Sequence, residues 1–435
     1  MHRVFATQRF GCRINADLRL GEEVMDRVDE LARFSASFEG LTRLYLSPQH
    51  RAAVDLVAEW MTEAGMPASV DAVGNVVGRY EGQEPGLPAL LLGSHLDSVR
   101  NGGKYDGTLG VLAAIACVKR LAGRRLPFAI EVFGFGDEEG VRFPCALTGS
   151  SAVAGTLERS HFDVSDADGV VLSDALIEFG GDPDKFESVA RNRADVLGYV
   201  EVHIEQGPVL ENEGIPVGVV TSIAGASRFA VSVTGSSGHA GTVPMSMRED
   251  ALAAAAEVVL DVERRCRGQD HLVGTVGQMN VEKGAPNVIP GTAHFSIDIR
   301  SPDDEVRKTA IDDIGRSIEA IGSRRRVRFD IRRTYEYPSC LCSAGFIEHL
   351  EAAVAHFGIK PHQISSGAGH DAMVLGELTR VGMLFVRCKG GISHAPEESI
   401  SVQDVDTACR VLNSFVDALA TAGETWGRLF LYGHA

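Results

Sequence analysis

Five side chains able to bind a divalent cation are spread along the chain. They are His95 in GSHLDS, Asp106 in GGKYDG, Glu139 in GDEEG, His203 in VHIEQG and His394 in GGISHAPE. If Asp106 bridges two ions, each ion has three protein ligands and a position left for water, which is the inventory of metal-assisted hydrolysis. Asp97 follows His95 by two residues, so at a strand end it points the same way and is expected to take the proton of the other ring nitrogen. Glu138 and Glu139 are adjacent and do not aim at one point, so one can hold metal while its neighbour faces the bound water as general base. Arg300, closing the run HFSIDIR, and Asn287, in APNVIPG, are a natural pair for a substrate carboxylate. His239 in GSSGHAGTVP and His370 in SGAGHDA sit among glycines, where an approaching ligand is not crowded out. Singly, each motif has a plainer reading: a loop histidine, a helix-capping aspartate, a solvated acidic turn. Together they favour a metal site. His2, His50, His161, His271, His294, His349, His356, His362 and His434 lack such surroundings and are read as structural.

The elements that must position these residues follow from periodicity. Strand-like runs NVVGRY, PALLLGSH and FAIEVFGF are followed or separated by helical patterns, including an apolar helix from about Thr108 to Leu121. Strand, helix, strand is a crossover unit, which predicts a parallel sheet, and His95 and Glu139 fall just past the carboxyl ends of their strands. The N-terminal part reads as helices, from Leu20 to Phe34 and from Ser47-Pro48. Past Pro208, strands and helices alternate from about Val217 to Arg332 without a metal motif. Helix, buried strand MLFVRC and a last helix from Val402 to Leu419 follow, with His394 among them. The expected fold class is α/β, with a mixed, largely parallel sheet carrying helices on both faces and an inserted α+β sandwich. Residues 1–216 and 333–435 would form the metal domain and residues 217–332 the insertion.

At 435 residues the chain is long enough for two or three domains, and its 44% apolar and 23% charged residues are ordinary for a globular protein. A formal net charge of −17 argues against nucleic acid or an anionic membrane as partner. No apolar stretch approaches the ~20 residues of a membrane span, and the first residues lack an apolar signal core, so a cytoplasmic protein is expected. The eight cysteines include no CxxC pair and read as reduced core thiols, with Cys340 and Cys342 alternating along an extended segment. SRRRVRF reads as one edge strand with solvated charges. GFGDEEG lacks the spacing of a phosphate loop.

Taken together, the motifs resemble the di-metal amidohydrolases that cleave ureido groups: allantoate amidohydrolases, N-carbamoyl-L-amino acid hydrolases and β-ureidopropionases of the carboxypeptidase-like metallopeptidase superfamily. The resemblance runs from about Leu41 to Val405. It implies His95, Asp106 and His203 around one ion and Asp106, Glu139 and His394 around the other, with Glu138 as base. It also implies a homodimer built through the inserted domain, with His239 polarising the scissile carbonyl across the interface, and substrate contacts from Gln206, Asn287, Arg300 and His370. An acidic residue commonly replaces His203 in related peptidases, which disfavours a dipeptidase or aminoacylase here. The strings YVEVHIEQGPVLE and GSSGHAGTVPMSMRED look most like the allantoate branch. The implied reaction is hydrolysis of allantoate to ureidoglycine, ammonia and carbon dioxide, using two manganese or zinc ions, with cobalt a third candidate. The alternative is release of an amino acid from its N-carbamoyl derivative. A metal-free binding protein on the same scaffold would be expected to have lost ligands or base, and all are present.

Overall fold

The structure, a computed structural model, describes residues 19–421; Cys12, His2 and His434 lie outside them. Two sheets organise the chain. The larger has nine strands, with Ala129–Phe135, Ala89–His95, Val196–Ile204 and Val381–Val386 adjacent and parallel at its centre. Every residue of Ala89–His95, Ala129–Phe135 and Val381–Val386 is buried. Successive residues of a strand face opposite ways, so burial of every one means that both faces are covered. The apolar helix predicted between two of these strands spans Thr108–Arg120 and packs on Ala89–His95 and Val196–Ile204. It also touches Arg19–Leu31 and Val402–Thr421, which pack on each other.

The flanks are antiparallel. Val76–Tyr80 pairs with Ala129–Phe135 and carries Ala68–Val70, while Val217–Ile223 pairs with Val381–Val386. The sheet is therefore mixed, as expected, but less parallel than its apolar central runs suggested. Val76–Tyr80 shows the reason: only alternate residues are buried, the mark of an antiparallel strand with one covered face.

The second sheet has five strands, all antiparallel: Met279–Val281, Thr292–Ser301, Gly225–Thr234, Arg328–Tyr337 and Val273–Thr275. Strand Thr292–Ser301 alternates strictly between buried and half-buried residues. Its buried residues Phe295, Ile297 and Ile299 join Val231, Val233, Val258, Ile314 and Ile318 in a separate core with helices Ala251–Arg267 and Asp304–Arg325. The other face carries Arg228, Asp298 and Arg300. The small sheet runs from Gly225 to Tyr337, which corrects the expected limits of 217 and 332 at both ends. Strand Val217–Ile223 belongs to the large sheet and its core. Two successive β-runs look alike to a periodicity reading; which sheet each joins is decided by its partner. The basic run is likewise split. Arg324 and Arg325 end the helix and pair with Glu257, Arg326 turns left-handed at φ 58°, and the edge strand starts at Arg328. The seven described cysteines are free thiols.

Candidate metal centre

The five expected ligands meet where the central parallel strands end. His95 is the last residue of its strand and His203 the penultimate residue of the neighbouring one. Each directs Nδ1 at a main-chain carbonyl, that of Asp97 at 3.0 Å and of Ile204 at 2.9 Å. A carbonyl can only accept, so the proton sits on Nδ1 and Nε2 is left as a lone-pair donor. Both Nε2 atoms face Asp106 Oδ1, at 3.5 Å from His95 and 3.0 Å from His203. The other oxygen of Asp106, Oδ2, lies 3.2 Å from His394 Nε2, which is itself 3.7 Å from Glu139 Oε2. One carboxylate thus serves two ligand groups, His95–Asp106–His203 and Asp106–Glu139–His394.

These separations fit cations. Ligand atoms about 2.1 Å from a tetrahedral ion stand roughly 3.4 Å from one another. His203 Nε2 and Glu139 Oε1 are buried and make no hydrogen bond, although His203 Nε2 is close to Asp106. Donors converging on a common point, rather than bonding each other, account for both. Two imidazoles with a carboxylate on one side, and one imidazole with two carboxylates on the other, suit zinc, manganese or cobalt.

The supporting shell differs from expectation in two places. Asp97 fixes the His95 tautomer through its main-chain carbonyl, and its carboxylate stands 3.9 Å from the ring. That carboxylate instead accepts the backbone N–H groups of Glu138 and Glu139, both at 3.1 Å, and so sets the turn from which these two side chains project. Asp106 is no helix cap, since Gly107 occupies the N-cap position at φ 64°. The aspartate is held from behind by Glu398, which accepts from the backbone N–H groups of Tyr105 at 3.0 Å and Asp106 at 3.2 Å and from Ser393 Oγ at 3.1 Å. Sequence reasoning missed Glu398 and Ser393; the one signal available was their place beside His394 in GISHAPEE. Asp137, Gln206 and His394 all have left-handed backbones, at φ 67°, 57° and 57°. Strained positions of this kind concentrate at functional sites. The carboxylate of Asp137 is pinned by Thr148 and by the Cys145 thiol.

Charge follows burial and neighbours. Burial pushes Asp106 upward, but His203, His394 and His95 outweigh it and hold the carboxyl well below the usual range. Burial, reinforced by Glu139, raises Glu138 well above that range despite His95. Burial and then the Asp106 charge bring Glu139 up to about 7. Cations bound here would reverse the direction for the ligating carboxylates.

The cavity over the five candidate ligands is also lined by Gln206, Leu147, Met373 and, from the small sheet, Ala226, Arg228, Arg300 and Tyr335. Gln206 and Arg300, two of the residues expected to contact substrate, are among those lining it. Gln206 Nε2 donates to Asp106 Oδ2 at 2.9 Å. His370 does not line the cavity. It is 1% exposed, its Nε2 lies 2.8 Å from Ser366 Oγ, and its ring packs edge-on at 4.5 Å against His203. It precedes helix Asp371–Leu378 and backs the His203 ring rather than facing the cavity. His239 ends the short strand Gly238–His239, which pairs with Val288–Ile289, and Asn287 just precedes the latter, its carbonyl accepting Ala240 N–H at 2.9 Å. Both are exposed on the small domain and neither borders the cavity of this chain.

A sheet whose parallel strand ends present imidazoles around a shared carboxylate, with a second glutamate alongside, has the architecture of a metal-dependent hydrolase. The chain belongs to peptidase family M20/M25/M40, whose sequence pattern matches residues 91–418. It is 41% identical over 436 residues to allantoate deiminase 1 of Glycine max, covering 92% of this chain and 90% of that protein. It is 42% identical over 380 residues to an N-carbamoyl-L-amino-acid amidohydrolase of Pseudomonas sp. (strain NS671), covering 86% and 92%. Among solved structures, an amidase of the hydantoinase/carbamoylase family from Burkholderia multivorans superposes with a TM-score of 0.86 at 32% identity, covering 92% of this chain and 98% of that one.

Proposed function

We propose that this protein hydrolyses the ureido C–N bond of a small carboxylate substrate, with allantoate as that substrate. The reading rests above all on Asp106, whose two oxygens face separate ligand groups beside Glu138 and beneath arginines. His95, Asp106 and His203 would hold one divalent ion and Asp106, Glu139 and His394 the other, manganese or zinc. Bound ions supply Lewis acidity that polarises the ureido carbonyl and acidifies water. Glu138 takes the proton of the attacking water and returns it to the departing nitrogen; burial, which raises its proton affinity, suits it to both tasks. The water oxygen bonds the ureido carbon, the C–N bond breaks, and ammonia leaves with a carbamate that loses carbon dioxide. Arg300 and Gln206 receive the substrate's polar groups. The protein acts as a homodimer through the small domain, and the exposed His239 and Asn287 reach the site of the partner subunit.

N-carbamoyl-L-amino acids are the second reading, favoured by the 42% identity to an enzyme named for them. Metal-loaded protein incubated with allantoate, N-carbamoyl-L-amino acids and N-carbamoyl-β-alanine should release ammonia, fastest from allantoate. Fastest release from an N-carbamoyl compound would move the substrate, and no release from any would end the proposal.

A further inference from the structure

Two large aliphatic side chains line the cavity over the candidate ligands, Leu147 and Met373. Met373 is part of the large sheet's core. Leu147 is only 6% exposed, yet among the described residues it joins neither hydrophobic core. Its backbone is left-handed, at φ 60° and ψ 25°, just before helix Thr148–Ala154. Glycine adopts that conformation freely, whereas an ordinary side chain costs roughly 1–2 kcal/mol there. A leucine kept at such a position with no core to fill is explained by the space it borders, the cavity.

The wall it makes is held in place. Leu147 N–H donates to the Asp137 carbonyl, its own carbonyl accepts Ser151 N–H at 2.9 Å, and the Thr148 hydroxyl donates to the Asp137 carboxylate. Asp137 directly precedes Glu138 and Glu139. Gly140 follows them and packs so closely that a Cβ on it would stand 2.6 Å from the Cys145 carbonyl oxygen and 2.8 Å from the Ala146 Cβ. Residues 145–147 are thus tied to the turn that carries Glu138, and Leu147 keeps a fixed place beside it.

Three directions then meet in the cavity. The candidate ligands and Glu138 face the ureido group, the arginines and Gln206 take polar groups, and Leu147 offers no hydrogen bond. A ureido or carboxylate group set against that wall would lose its water without replacement. An alkyl group set there would meet a surface that cannot retreat. Only hydrogen suits this side. A carbon held at its ureido group and its carboxylate, and allowed only hydrogen towards Leu147, is accepted in one handedness. Allantoate meets the condition, because its central carbon carries one hydrogen beside the carboxylate and two ureido groups.

We propose that Leu147 sets the handedness of the substrate by closing one side of that carbon to everything except hydrogen. This inference rests on the ureido reading above and adds to it a residue that the motifs did not single out.

The test is the ratio between enantiomers. Metal-loaded protein carrying Glu138→Gln, to suppress turnover, is titrated calorimetrically with both enantiomers of N-carbamoyl-valine and with allantoate, while ammonia release is followed with Glu138 in place. With Leu147 present, one enantiomer should bind at least about tenfold more tightly. Leu147→Ala and Leu147→Gly, the latter suited to the left-handed backbone, should bring the ratio within about threefold by strengthening the weaker enantiomer. Allantoate binding should change by no more than about threefold. Leu147→Met, close in volume, should keep the ratio. Equal binding of the enantiomers with Leu147 present, no gain by the weaker one in the Ala and Gly variants, or an equal loss on both would overturn the proposal. A preference that disappears with Leu147, without ammonia release from any ureido compound, would remove the hydrolytic reading and keep Leu147. Failure of every ureido compound to bind would overturn both.

Discussion

Asp106 turns its two oxygens towards different imidazoles, an orientation in which it could bridge two cations, and Gln206 Nε2 donates to one of these oxygens. Oδ1 is committed to His95 and His203, and Oδ2 to His394, while Glu398 fixes the backbone behind it. Glu138 is set apart from the ligands by its neighbour: its nearest imidazole nitrogen is that of His95, at 4.0 Å. Glu138→Gln should therefore keep its metal content and lose roughly 10²- to 10⁴-fold in kcat; unchanged turnover would strip the residue of its role. Asp97 gives a finer distinction. Its main-chain carbonyl orients His95 whatever the side chain, whereas its carboxylate holds the Glu138–Glu139 turn. Asp97→Ala leaves two N–H groups of that turn without their acceptor, so kcat should fall more than about tenfold. Metal analysis should show the loss confined to the ion held by Glu139 and His394. Depletion at the His95–His203 position instead would mean that the carboxylate orients the imidazole after all.

Loops between strand and helix do the positioning, and their backbones show the strain. Gly107 has φ 64°, and a Cβ there would stand 2.5 Å from the His95 ring. Gly107→Ala should then cost about 1–3 kcal/mol through the left-handed backbone and the clash. Because the displaced group is a ligand, metal affinity should drop along with the melting temperature; a variant with wild-type affinity would show that His95 can give way. His50, in helix Pro48–Glu63, is a structural counterpart. It is fully buried, accepts Leu46 N–H at 3.2 Å and stacks on Phe179. Burial, then Arg43 and Arg51, lower its pKa to about 3. The unfolded chain would protonate it near 6.5, so stability is unaffected above that pH and declines as pH falls from there towards 3, by about 1.4 kcal/mol per unit. His50→Gln should flatten that decline between pH 6 and 4 in thermal melts, and an unchanged slope would assign the protons elsewhere. The strands and helices around these loops were legible because periodicity is local. The convergence of His95, Asp106, Glu139, His203 and His394 was legible because five chemically apt residues each sat at a strand exit or glycine-rich turn. What escaped was non-local: which sheet Val217–Ile223 joins, that His370 turns inward, and that Glu398 reaches back 293 positions to Tyr105 and 292 to Asp106.

The chain has two cores, and its site draws on both. The large sheet's strand ends and loops bring His95, Asp106, Glu138, Glu139, His203 and His394 to the cavity; the small sheet brings Ala226, Arg228, Arg300 and Tyr335. Arg300 also ties the two together through the Gly367 carbonyl. Among the described residues no helix is long and apolar enough to cross a membrane. The most direct measurement is anomalous diffraction from crystals grown with manganese or zinc. Two peaks are expected, one among His95, Asp106 and His203 and the other among Asp106, Glu139 and His394. A single ion bound away from Asp106, or no ion within coordinating reach of His95 and His394, would contradict the account.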